Sequence, residues 1–395
     1  MGVTSFGRAM LEHWFLDSDV TYLNHGTVGA TPRRVHDAQD AIRRSIERQP
    51  SQFLLRDLAG IGVGVARSES SRLREAARAV AGFVGAREQD LVLVDNATTG
   101  VNAVVRSFDL REGDEILVTD HAYGAVAMVA AFVAARRRAR VRTVALPWPA
   151  RGPEEVVEAI SKEIGPRVRL VVVDHVASLS AWIFPVAQIA ARCRERGVPV
   201  LVDGAHAPGT VPIELETLGV DWYAGNLHKW AFAPRPSGFL WARPDRQEGI
   251  HPPVISWGLS CGFPLEFDWA STRDPSALLA APAGIEFLRE LGETRVQSYN
   301  HELAWEAASR LTREWGTELE TPERMFGAMA TFPLPRSLGA TSDDAERLRD
   351  ALLFEDRIEV QLHAWRDRLW VRVSAQVYND LEDVGRLARA VLARL

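Results

Sequence analysis

Between Tyr22 and about residue 240, short β-branched runs alternate with Ala- and Arg-rich runs of helical character. Strands are predicted at 91–94, 115–119, 141–146, 169–173, 198–202, 222–224 and 238–241, and helices at 98–108, 124–137, 153–164 and 186–196. Such alternation builds βα units on a mostly parallel sheet covered on both faces. The near-continuous apolar runs VRLVVVDH and VPVLVDGAH fit fully buried strands, and ligands of these sheets bind beyond the carboxyl ends of the strands. Residues 249–276, rich in Pro, Gly and Trp, read as a long ordered loop. Helices at 282–291, 295–315, 343–355 and 381–395, with strands at 327–332, 358–362 and 368–374, then describe a smaller α/β unit. The expected organisation is an N-terminal segment (1–20) packing with the small domain, a large domain (21–280) and a small C-terminal domain (281–395).

Composition narrows the candidate chemistry. The chain has 395 residues and a net charge of −6, with no long basic block, which argues against nucleic acid or an anionic membrane surface as partner. The run Arg136, Arg137, Arg138, Arg140, Arg142 reads as a solvated helix C-terminus. No stretch approaches the roughly 18 apolar residues that span a bilayer, and the first residues lack the pattern of a secretory signal, so a cytoplasmic location is expected. Cys193 and Cys261 make neither a disulfide framework nor a metal or redox pair. Of 46 basic residues only Lys162 and Lys229 are lysine. Guanidinium cannot lose its proton to form a Schiff base at neutral pH, so each surviving lysine is worth questioning. Lys162 lies on a polar helix face among Glu158 and Glu163.

Lys229 lies in WYAGNLHKWAFAPRPSGFLW, beside Asn226 and His228 and flanked by Trp230 and Phe232, where desolvation lowers an amine's pKa. Asp203, in VLVDGAHAPG, ends the strongest buried strand and needs a cationic partner. In LVLVDNATTGVNAVV a strand turns into a helix, with Asn96 as N-cap and Thr98, Thr99 and Gly100 in the first turn, a cradle for a phosphate monoester. The strand EILVT leads into Asp120, His121, Ala122 and Tyr123, bringing an aromatic to the same edge. A phosphate cradle, a stacking ring, a buried carboxylate and a reactive lysine describe a pyridoxal 5′-phosphate pocket. Asp203, His206, His228, Asp174 and His175 could instead ligate a metal, but the cradle would then have no purpose. The Gly60, Gly62, Gly64 run breaks dinucleotide-loop spacing and follows no strand, so it reads as a flexible loop.

The ordered motifs YLNHGTVGATP, NATTG, TDHAYGA, DHVASLSAWIFPV, VDGAHAPG, GNLHKW, STRDPSA and LWVRVSAQVYN together resemble the class V aminotransferase family of fold-type I pyridoxal phosphate enzymes. The likeness covers nearly the whole chain and is greatest to the isopenicillin N epimerase-like branch, which includes ergothioneine-pathway C–S lyases. It implies a homodimer with active sites at the interface, acting on an L-amino acid as small-molecule substrate through an imine and α-proton abstraction. Lys229 would carry the cofactor as an imine, Asp203 would pair with its pyridinium and His206 would bond near its phenolic oxygen. Thr98, Thr99, Asn226 and His228 would hold the phosphate, with Thr272 reaching in from the partner subunit and Ser178 also at the cofactor. Tyr123 would stack on or border the ring, with His121 competing for that place and either one a candidate proton donor. Arg372 would grip the substrate carboxylate, with Asn24 and His25 lining the substrate side.

Two departures matter. Cysteine desulfurases of this family carry a catalytic cysteine shortly before the arginine strand, and VQLHAWRDRLWVRVS has none, which argues against a persulfide mechanism. The loop reads STRDP where the family commonly has GTRDP, placing Ser271 at a glycine position. Epimerisation, β-elimination and transamination all remain open at this stage, as does a non-catalytic or metal-binding α/β protein.

Overall fold

The computed structural model describes residues 5–58 and 71–395, so the Gly60, Gly62, Gly64 run and the first four residues lie outside the described residues. The strands among the described residues are β1 (Thr21–Tyr22), β2 (Leu91–Val94), β3 (Glu115–Thr119), β4 (Arg140–Val144), β5 (Val168–Asp174), β6 (Val200–Gly204), β7 (Trp222–Asn226), β8 (Gly238–Ala242), β9 (Met329–Pro333), β10 (Ile358–Glu359), β11 (Gln361–Ala364) and β12 (Leu369–Ser374).

Strands β2 to β8 form one sheet in the order β2-β8-β7-β6-β5-β3-β4. Only β8 runs against its neighbours, so six strands bring their carboxyl ends to one edge. Successive residues feed opposite faces: Val171 and Val173 join one apolar core, Leu170 and Val172 the other. Burial on both faces explains why these strands read as near-continuous apolar runs. The edge strand β4, RVRTV, is mostly accessible. The arginine run therefore straddles a helix end at Arg136 and this edge strand, instead of lying wholly on a helix C-terminus. Charged side chains on an edge strand discourage pairing with another chain.

The second sheet has the antiparallel order β11-β12-β9, with Arg372 opposite both Gln361 and Thr331. The strand predicted at 358–362 is in fact two. β10 pairs in parallel with β1, Ile358 opposite Thr21, and the chain then switches sheets through buried Val360. No turn residue marks that switch. The 249–276 loop contains a short helix, Phe263–Asp268, whose last residue receives Arg74 at 2.5 Å in a buried ion pair. Two further helices, Arg33–Arg48 and Arg72–Phe83, precede β2 and were not predicted. Arg33–Arg48 buries only Val35, Gln39 and Ile46, too sparse an apolar stripe to announce a helix. The N-terminal segment lies against the C-terminal part of the chain: Gly7 N–H donates to the Val377 carbonyl at 2.8 Å, and Arg8 pairs with Asp383 at 2.6 Å.

Candidate functional site

The carboxyl edge of the large sheet gathers the polar residues. Asp174 closes β5 and faces Asp203 of β6 in register, and Asn226 closes β7. The helix Ala97–Ser107 begins at the same edge, capped by Asn96, whose side chain accepts from the Thr99 N–H at 2.9 Å. Asn226 Oδ1 accepts the Ala97 N–H at 2.7 Å and so ties strand end to helix start. Asp174, Asp203, Asn226, Thr98, His228 and Lys229 line a cavity of about 200 Å³. A second cavity of about 300 Å³ shares Thr27, Tyr123, Ser178, His206 and Lys229 with it and adds Arg372, Gln361 and His363. Lys229 thus stands at the seam between the two.

The Lys229 amine is pushed down to about 7, first by burial and then by the Arg372 charge, with Asp203 pulling the other way. A neutral amine at neutral pH is what imine formation requires. Lys229 Nζ lies 3.0 Å from His206 Nε2, and the Trp230 indole N–H donates to His206 Nδ1 at 3.4 Å. That donation reserves the proton of the neutral ring for Nε2, which then points it at the amine. Burial holds His206 well below the usual histidine value, with the Lys229 and Arg372 charges adding to the effect.

Arg372 is fully enclosed, and burial lowers it to about 10. It donates from Nη1 to the carbonyl and hydroxyl of Ser178, both at 2.8 Å, and from Nη2 to Thr27 Oγ1 at 2.9 Å. Its Nε is buried without a partner, and among the described residues no carboxylate pairs with it. A buried guanidinium lacking a counter-ion beside a cavity is chemically suited to a ligand carboxylate.

Several expected residues stand back from the cavities. The Thr99 hydroxyl bonds Asn96 Oδ1 at 3.3 Å and does not line either cavity. Asn24 is bonded to Glu359 and Thr27, and His25 spans from the Tyr378 hydroxyl to the Lys229 carbonyl, 2.7 Å at each end. These two brace the lysine and Thr27 from behind, while Gly26 and Thr27 reach the cavity instead. Thr272 is exposed and lines neither cavity of its own chain. Its neighbour Ser271 adopts φ 90°, a region that favours glycine, which accounts for the family's usual residue there. His121 is fully buried within contact of Trp148, Trp182 and Trp365, bonds Ser180 Oγ at 2.8 Å and lines the second cavity only, whereas Tyr123 is half-exposed and borders both cavities. Neither cysteine lines a cavity, and burial pushes the Cys193 thiol up to about 12. Sequence reasoning missed Thr27, Gln361 and His363. Thr27 alone had a signal, its place inside the NHGTVG motif.

The residues fit pyridoxal 5′-phosphate. Asp203 is buried with one hydrogen bond, from the Ala205 N–H at 3.0 Å, and no cation in contact among the described residues; burial raises its pKa. A protonated ring nitrogen would supply the missing partner. At the other end the Thr98 hydroxyl, beside the helix start, has no protein partner among the described residues. His228 donates from Nδ1 to the Ser237 carbonyl at 2.8 Å, so holding a phosphate oxygen at Nε2 requires the ring to take up a proton, which a phosphate's charge favours. Among the described residues no three His, Cys, Asp or Glu side chains are arranged to hold a metal ion.

Residues 62–387 match the family model described as Aminotransferase class-V. The chain is 35% identical over 411 residues to an isopenicillin N epimerase from Amycolatopsis lactamdurans, covering 99% of each sequence. It is also 35% identical over 420 residues to a putative L-cysteine desulfhydrase 1 from Oryza sativa subsp. japonica, covering 97% of this chain and 84% of that one. Among solved structures, the apo cysteine desulfurase from Thermococcus onnurineus NA1 superposes with a TM-score of 0.79 at 21% identity, covering 100% of this chain and 99% of that one. A cystine C–S lyase in complex with its product cysteine persulfide gives 0.78 at 22% identity, over 94% and 97%. These likenesses establish the fold as that of the fold-type I enzymes.

Proposed function

We propose, since the chain belongs to the class V aminotransferase family, that this pyridoxal 5′-phosphate enzyme removes the α-proton of an L-amino acid and epimerises it, like its isopenicillin N epimerase relatives. The observation that carries this reading is a buried amine, Lys229, set near 7 and sharing one cavity with an unpaired guanidinium, Arg372. Bound here, the cofactor supplies a carbonyl that condenses with amines and a ring that draws electrons from the substrate α-carbon. Asp203 keeps the ring nitrogen protonated, and Thr98, Asn226 and His228 hold the phosphate. Arg372, oriented by Ser178 and Thr27, takes the α-carboxylate and turns the α-C–H toward Lys229 Nζ. Positioned proton transfer of this kind contributes roughly 10²–10⁴ in rate. His206 steadies the amine through its Nε2–H. Tyr123, bordering both cavities, is the group for the opposite face, and His121 is wall.

A second reading, β-elimination, is favoured by one feature: Lys229 is the cavity group set near neutrality, while His121, His206, His228 and His363 are all held far below it. Elimination runs with one base that hands its proton to the leaving group. The L-cysteine desulfhydrase relatives point the same way.

The reading includes a cytoplasmic homodimer with 21–280 as cofactor domain and 281–395 as small domain. Exposed Met128, Phe132, Ile255 and Trp257 support a covered surface, and exposed Thr272 supports service to the partner's phosphate. Active monomer in sedimentation would contradict the dimer. Among the described residues no helix is long and apolar enough to cross a membrane.

The deciding experiment incubates the enzyme with a panel of L-amino acids in deuterated water. Deuterium at the α-carbon with loss of optical activity marks epimerisation, and keto acid with ammonia marks elimination. Keto acid without ammonia marks transamination. A colourless protein that borohydride does not modify at Lys229 would refute the cofactor role altogether.

A further inference from the structure

On the substrate side of the site, β11 contributes two residues to the cavity wall, Gln361 and His363. Gln361 lies directly opposite Arg372, and His363 lies opposite Trp370. Side chains alternate along a strand, so Gln361, His363 and Arg372 share one face of the small sheet. Diagonal neighbours such as His363 and Arg372 are roughly 7–8 Å apart, a gap that a short side chain plus one hydrogen bond bridges.

The His363 ring makes no hydrogen bond among the described residues; its Nε2 is shut away from solvent, which leaves Nδ1 as the ring nitrogen open to a ligand. Burial and the Arg372 charge keep the ring neutral, down at about 3, so it offers one N–H and one lone pair. Gln361 adds a carbonyl oxygen, its amide nitrogen being engaged with the Leu362 carbonyl at 3.0 Å. No Asp or Glu lines this cavity, so an ammonium side chain would find no counter-charge.

We infer that His363, with Gln361 beside it, reads the substrate's side chain, and that the site takes L-amino acids with a short uncharged side chain ending in a hydroxyl, thiol or amide. The inference rests on the proposed role of Arg372 as the α-carboxylate site. With the carboxylate on Arg372, a heteroatom two or three bonds beyond the α-carbon meets the imidazole, and an isosteric methyl leaves it unsatisfied.

The test titrates holoenzyme with isosteric pairs, following the cofactor's visible band: L-cysteine against L-2-aminobutyrate, and L-homoserine against L-norvaline, with L-alanine as reference. Wild type is expected to bind the heteroatom member about tenfold more tightly or better, the worth of one neutral hydrogen bond. In His363→Leu the preference should fall to within about twofold while L-alanine binding stays put, and His363→Gln should restore most of it. No preference in wild type, a preference that survives His363→Leu, or an equal loss of L-alanine binding in that variant would overturn the inference. A wild-type spectrum that responds to no amino acid would overturn the underlying reading as well, and so is told apart from failure of the specificity claim alone.

Discussion

Replacing Lys229 by methionine should make the cofactor-free protein more stable, by an amount that depends on pH. In the fold the amine is lowered from 10.5 to about 7. At about 1.4 kcal/mol for each tenfold change in proton affinity, that span corresponds to roughly 5 kcal/mol. The folded state binds this proton more weakly than the unfolded chain does. Between about 7 and 10.5 the unfolded chain therefore holds the proton and the fold does not, so stability rises with pH across that window. Below about 7 both states are charged and the whole penalty of burying the ammonium is present. Methionine fills similar space without charge, so the variant's advantage should be largest near pH 6 and vanish by about pH 10.5. Cavity water and relaxation around the amine soften the penalty, leaving roughly 2–5 kcal/mol at pH 6. Urea unfolding of both cofactor-free proteins at pH 6, 8 and 10 reads the difference directly, since their other titrating groups are shared. A variant equal to or weaker than wild type at pH 6, or a gap that does not change with pH, would refute the reasoning.

Arg372→Lys keeps the charge but loses the contacts to Ser178 and Thr27, and should raise KM about 10–100-fold with a smaller change in kcat in steady-state assays. Asp203→Asn should retain the visible band, because the phosphate end is untouched, while lowering kcat about 100-fold or more. Ser271→Gly relieves the φ of 90° and should stabilise the protein by about 0.5–1 kcal/mol in urea titrations. In the cofactor-free protein, the imidazole signals of His25, His121, His175, His206, His228 and His363 should not move between pH 5 and 8, since burial is the main cause lowering all of them. Any one of the six titrating near 6.5 in NMR spectra would contradict their burial.

The large sheet and the lysine were legible because each has a local cause. Strands buried on both faces must be apolar at nearly every position, so β5 and β6 read as near-continuous runs, interrupted in β5 by exposed Arg169. Lys229 stood out because arginine replaced nearly every other cation. What could not be read depended on long-range placement. Gln361 and His363 become cavity wall only when the small sheet folds over the large one, and nothing in QLHA marks that. The division between β10 and β11 passes through Val360, a residue no different from its neighbours as sequence. Asn24 and His25 were read as substrate contacts because they lie in a shared motif, yet His25 is spent on the Lys229 carbonyl and Tyr378. Motif membership marks the vicinity of a site, and hydrogen bonding then decides which neighbour faces the ligand.

On the proposed function, the neutral histidines explain how one lysine serves both a nucleophilic and a proton-carrying role. The site must admit a phosphate and a carboxylate, both anionic, so cations would seem the natural lining. Each added cation, however, would push the Lys229 amine further down and weaken it as a base. Neutral imidazoles supply donors and acceptors without that consequence. The amine's proton affinity is then left to burial and two charges, Arg372 lowering it and Asp203 raising it. When a substrate carboxylate neutralises Arg372, the largest charge opposing protonation is removed, and the amine becomes a stronger base at the moment a base is needed. His228 is the exception that fits the rule. It stands at the phosphate end, where an imidazolium would meet an anion, while His206, against the amine itself, has its tautomer held by Trp230.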